Sequence, residues 1–163
     1  MNFANIRNNE ILDFNSKYLD EDITRVEVID EIYQAYLEDR DKVIYQDGAV
    51  ILNPNYEAEQ AQKEKERIAK LTCTKRVFAL MLQELGITYT ILKELIATNE
   101  QAQLEWDLCV ELERKNALLD VMARQLSITP EHLDFIFMYA NNELTQDEFI
   151  SKISLIEQEE IND

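Results

Sequence analysis

Glycine, proline, cysteine, histidine and tryptophan are all scarce in this chain. Its 163 residues include two glycines, two prolines, two cysteines, one histidine and one tryptophan. Each shortage excludes something. The Gly-rich turns of all-β proteins have no material here, and neither do loops that cradle phosphate. No GxGxxG, GxxxxGKS or GxSxG occurs. Zinc needs clustered ligands, and there is one histidine, His132, and no CxxC, so no metal and no cofactor is expected. Cys73 and Cys109 show no disulfide-framework spacing and read as reduced, small, buried hydrophobes. No apolar run approaches the ~20 residues of a membrane span. Residues 1–7 lack the charged head and apolar stretch of a signal peptide. The expected location is therefore a cytoplasm, either bacterial or that of an infected cell.

Positive charge is also short. Acidic side chains number 33 against 16 basic ones, a formal net charge of −17. Such a chain repels itself, bare nucleic acid and anionic membrane, and it meets a basic protein surface quickly. Residues 1–40 hold ten acids and four bases, and residues 143–163 hold seven and one. With 46% hydrophobic residues the chain still has material for a core, and its length suits one domain with a small appendage.

Periodicity predicts a mainly α protein: a compact bundle of short helices with an N-terminal helix and one short β-hairpin. Residues 1–19 read as irregular, interrupted by Asn5, Asn8, Asn9, Asn15 and Ser16. From Asp20, the residues Ile23, Val26, Ile29, Ile32, Tyr33, Tyr36 and Leu37 recur at spacings of three and four, predicting a helix to about Arg40. Asp20, Glu21 and Asp22 would occupy its first turn, where the helix dipole favours negative charge. Residues 43–46 and 49–52 flank Asp47-Gly48, the dipeptide that suits a type I′ hairpin turn. A lone hairpin is marginal in water and must pack on helices or pair with a partner. Asn53-Pro54 opens a polar linking helix to about residue 71 with a thin apolar stripe.

Beyond it, Thr74, Thr88, Thr129-Pro130 and the capping box Thr145–Glu148 mark helix starts, and Gly86 marks a helix end. A helix is predicted from about Glu100 to Lys115, broken at Asn116. The expected organisation is an N-terminal helix plus hairpin over 1–52, a linking helix over 53–71, and a helical bundle with an acidic tail over 72–163.

Catalytic chemistry has little to stand on. A Cys–His pair would have to join Cys73 or Cys109 to His132 with nothing local in support. Asp20-Glu21-Asp22 suggests calcium, but Arg25 stands where an EF-hand loop needs its glycine. The basic stretch Lys63 to Arg76 is interleaved with Glu64 and Glu66 and reads as a solvated helix. A non-enzymatic protein is the expectation.

Asp47-Gly48-Ala49-Val50-Ile51-Leu52-Asn53-Pro54-Asn55-Tyr56-Glu57 continues as Glu59-Gln60-Ala61-Gln62-Lys63-Glu64-Lys65-Glu66-Arg67-Ile68-Ala69. This pattern, a DG…NPxYE hairpin and cap followed by an AQKExERIAxL helix, resembles small accessory proteins encoded at phage and prophage tail-gene loci. The resemblance covers about half the chain and implies a phage or prophage origin, with a location in the bacterial host cell or on the virion. It implies little of mechanism.

Two functions are expected from these readings. The first is a protein-interaction module, an accessory or assembly protein that contacts a phage tail component. The second is an acidic inhibitor of anti-CRISPR type, which mimics nucleic acid and fills the basic groove of a host nuclease or CRISPR effector. Candidate partner-binding residues are Asp20, Glu21, Asp22, Glu27, Asp30, Glu31, Tyr45 and Tyr56.

Overall fold

Two neighbouring asparagines open the fold. Asn8 and Asn9 both take positive φ, 52° and 65°, a conformation that asparagine tolerates better than most residues. They turn the chain between β1 (Asn2–Arg7) and β2 (Glu10–Phe14). A third strand, β3 (Thr24–Val28), pairs antiparallel with the other side of β1, so the sheet order is β2-β1-β3. The computed structural model describes residues 1–17 and 22–162, with the side chains of 157–162 left out.

This sheet corrects the expectation of a mainly α bundle with one hairpin. The described residues hold eight α-helices and three small sheets, 56% helix and 20% strand, a mixed α/β fold. Residues expected to be irregular form β1 and β2. The segment predicted as one helix from Asp20 contains β3 and then the shorter helix α1 (Asp30–Glu38). The physical reason is pairing. Ala4 of β1 lies opposite Val26 of β3, and Ala4, Ile6, Val26 and Val28 all pack in one core. The β2 register shifts between Asn5 and Ile6, so that Ile6 pairs with Ile11 and Asn5 with Asp13. This bulge brings Ile11 and Phe14 to the same core although they are three residues apart. The odd spacing hides the strand from any alternation pattern.

Helix α1 covers this core with Ile32, Tyr33, Ala35 and Tyr36. A 3-10 turn, Arg40–Lys42, leads into β4 (Val43–Gln46) and β5 (Ala49–Leu52). Their turn has Asp47 and Gly48 at φ 51° and 86°, as the Asp-Gly pair predicts. Val43 and Val50 complete the core. Asn53 accepts from the Asn55 amide just before α2 (Tyr56–Ala69). None of the α2 residues is buried.

The chain forms two compact units, Met1–Gln62 and Lys63–Asp163, and the division falls inside α2. In the second unit come β6 (Thr72–Thr74), α3 (Lys75–Glu84), α4 (Tyr89–Ala97), α5 (Glu100–Leu108), β7 (Glu111–Glu113), α6 (Ala117–Gln125), α7 (Pro130–Ala140) and α8 (Gln146–Asn162). Side chains of Thr74, Thr88, Asn99, Asn116 and Thr129 each accept a backbone N–H in the first turn of the helix they precede. Gly86, at φ 75°, ends α3, with the Ile87 amide donating back to Leu82. Thr145 and Glu148 exchange the reciprocal bonds of a capping box.

A second correction concerns residues 100–115. The helix stops at Leu108, because Glu111–Glu113 pairs with Thr72–Thr74, setting Leu112 opposite Cys73. Both of those residues are buried. Phe78, Leu82, Leu92, Leu133, Ile136, Phe137 and Phe149 form the centre of this unit's core. Among the described residues no helix is long and apolar enough to cross a membrane.

Candidate binding sites

The candidate acids fall on one stretch of the first unit. Asp22 lies in the turn before β3, Glu27 on β3, and Asp30 and Glu31 in the first turn of α1. All four are exposed. Asp30 accepts a hydrogen bond from the Asn2 amide at 3.1 Å, which ties the start of α1 to the start of β1. Asp20 and Glu21 lie outside the described residues. Beside Glu27 in sequence, the Arg25 guanidinium stands 4.2 Å from the centre of the Phe3 ring.

The two tyrosines differ from these acids. Tyr45 is half-buried and packs against the first unit's core. Tyr56 donates its hydroxyl hydrogen to Asp39 at 2.8 Å, and the Lys42 ammonium sits 5.8 Å from its ring centre. That hydrogen bond to Asp39 raises the Tyr56 phenol above its ordinary range. Tyr56 thus joins the start of α2 to the end of α1.

A cleft that the sequence did not point to lies in the second unit. It has a volume of about 480 Å³ between α5, β7 and α6. Ala102, Leu112, Leu119 and Met122, all buried, give it an apolar floor, and Trp106 and Leu118 add apolar walls. Glu105, Glu111, Glu113, Lys115 and Asn116 stand round it. The Asn116 amide donates to Glu105 at 3.0 Å, and Lys115 lies 3.2 Å from Glu113. Trp106 is held by its carbonyl, which accepts from the Lys75 ammonium at 2.6 Å. The one signal that could have located the cleft is the only tryptophan, placed four residues after Ala102 with Glu105 beside it. The helix-to-strand switch at Cys109 builds the far wall, and helical periodicity hides that switch.

The thiols separate by burial. Cys73 is 2% exposed, and burial pushes its thiol up to about 12. Cys109 is partly buried and lines the cleft. His132 belongs to a helix cap: its Nδ1 accepts the Thr129 amide at 3.2 Å, and Thr129 Oγ1 accepts the His132 amide. Among the described residues no group of three or more His, Cys, Asp or Glu is placed to hold a metal ion.

Arg114, the residue after β7, ties α6 to α7. It donates to Asp134 at 2.6 Å, Asp120 at 2.9 Å and the Pro130 carbonyl at 3.2 Å. Partial burial holds Asp134 above its ordinary range, against the opposite pull of Arg114. At the end of α2, Arg67 makes a two-pronged contact with Glu143, 2.6 and 2.8 Å, and also bonds Glu64. Compared with protein-family models, curated proteins and solved structures, the chain matches none.

Proposed function

We propose that the chain is a non-enzymatic protein-interaction module of phage or prophage origin, an accessory or assembly protein of the tail locus working in the bacterial host cell. The observation that carries this reading is α2, fourteen residues long with none of them buried. A helix with no buried residue is either a solvated connector or a surface that a partner covers, and we take α2 as the second. It follows the β5 residues Ile51 and Leu52, which are 37% and 46% exposed. Hairpin and helix together are the segment whose sequence resembles the tail-locus proteins.

The test is capture of tail proteins from phage-infected cells by the tagged chain, eluted in steps of salt. Tail or baseplate proteins are expected to remain bound at high salt, and an Ile51→Asp, Leu52→Asp double variant to lose them. Retention by that variant would overturn the reading.

A second reading, the acidic inhibitor, is favoured by the exposure of Asp22, Glu27, Asp30 and Glu31 on one short segment. It would place these acids in a basic nucleic-acid groove. Charge-led binding of that kind is screened by salt. Release of a basic host nuclease or CRISPR effector at moderate salt would favour it over the assembly role.

A further inference from the structure

We infer that the cleft between α5, β7 and α6 is a docking site for a short basic peptide segment that presents apolar side chains between lysines or arginines. This goes beyond the contact surface proposed above and uses none of its residues.

Two features of the cleft point to that occupant. The first is charge. Glu105, Glu111 and Glu113 stand round it, Lys115 is the one cation of its lining, and the Lys75 ammonium is taken up by the Trp106 carbonyl. Among the described residues the Glu111 carboxylate makes no ion pair or hydrogen bond, which leaves it open to an incoming cation. The second is apolarity. The floor is formed by core residues left open at this point, and the volume of about 480 Å³ accommodates more than one side chain. Cys109 stands at its edge. A peptide that carries both cations and apolar side chains meets the carboxylates and the floor at once. A second copy of the chain is the poorer occupant, because each copy brings a net charge of −17.

The cleft carries two reporters of its own. Trp106 is the only tryptophan in the chain, so intrinsic fluorescence reads this site. Cys109 is the more exposed of the two thiols, while Cys73 is buried and resists ionisation. The probe is the synthetic peptide acetyl-KRLAKLLKR-amide, titrated into the full chain. Binding is expected to change Trp106 emission and to slow alkylation of Cys109 at least tenfold at saturation. The same peptide with its leucines replaced by serine is expected to do neither.

Because an acidic chain attracts any cation, a charge control is needed. The Glu111→Lys, Glu113→Lys double variant is expected to weaken the peptide at least tenfold. The Glu84→Lys, Glu94→Lys variant changes net charge equally at exposed positions elsewhere and is expected to weaken it less than twofold. Equal weakening by both variants would overturn the proposal, as would unchanged Cys109 alkylation at saturating peptide. Protection of Cys109 that rises with protein concentration in the absence of peptide would place a second copy in the cleft and also overturn it. The alkylation result on the unmodified chain stands even if a variant fails to fold.

Discussion

The first unit closes on six buried apolar residues, none larger than isoleucine: Ala4, Ile6, Val28, Ile32, Val43 and Val50. The second closes on seventeen, including Phe78, Phe137 and Phe149. Burying a phenylalanine in place of exposing it is worth ~2–3 kcal/mol, so the second unit holds most of the chain's hydrophobic stabilisation. The first unit relies more on strand pairing and on partly buried rings along its edge. Phe14 lies 4.3 Å from Tyr36 and 5.5 Å from Tyr33, centre to centre. It also carries a dense acidic load, since residues 1–40 hold ten acids and four bases. A unit of this size buries only about 60% of its unfolded surface and is marginal on that count alone. Strand content and core size run in opposite directions in the two units. The unit with more strand is the one with less core.

Breaking the larger core should have the largest effect. Phe137→Ala is expected to cost ~4 kcal/mol through lost burial and the cavity left behind. Urea unfolding followed by far-UV circular dichroism would measure it. If the two cores are independent, amides of β1 and β3 keep their exchange protection in this variant. Their loss would show that the comparison treats as two what unfolds as one.

Next is the smaller core. Ile6→Ala is expected to cost ~3 kcal/mol at a position opposite both Ile11 and Thr24. In so small a core that loss should melt β1–β3 while α3–α7 persist. Residue-resolved hydrogen exchange would show fast exchange confined to the first unit. Uniform acceleration across both would break the comparison.

The third test sharpens the account of the second unit. Arg114 is 9% exposed and serves two carboxylates, and its replacement by alanine is expected to cost ~2 kcal/mol, a value discounted for the partial exposure of Asp120 and Asp134. The pH dependence has a definite sign. Asp134 is already raised in the folded state, and loss of Arg114 raises it further. Its ionisation then opposes folding, so the stability it allows is present below its unfolded value and is lost as pH rises through the folded one. The gap between variant and parent should therefore narrow as pH falls from neutral into the carboxylate range. Denaturant midpoints across that range would check it, and a gap that widens on acidification would refute the role given to Asp134.

Much of the second unit was legible because its signals are local. A threonine cap needs an amide three residues away, and Gly86 needs only its own φ. Thr74, Thr88, Thr129 and Thr145 act within one turn of their own position, and Asp47-Gly48 sets a hairpin by the same short reach. The acidic segment was visible as composition, and the structure places its described members on the surface. The cleft was not visible, because its floor is assembled from α5, β7 and α6.

The caps, the β4–β5 turn, the end of α3 at Gly86 and the charge thus follow from the sequence alone. Their causes lie within a few residues. Only the tertiary structure decided that residues 2–7 and 24–28 are strands, that a bulge brings Ile11 and Phe14 to one core, and that 111–113 leaves the helix for β6. In each case a segment with weak or conflicting local preference takes the conformation its distant partner rewards. Burying Leu112 with Cys73, or Ile6 with the first unit's core, outweighs the fraction of a kcal/mol per residue by which propensity separates helix from strand.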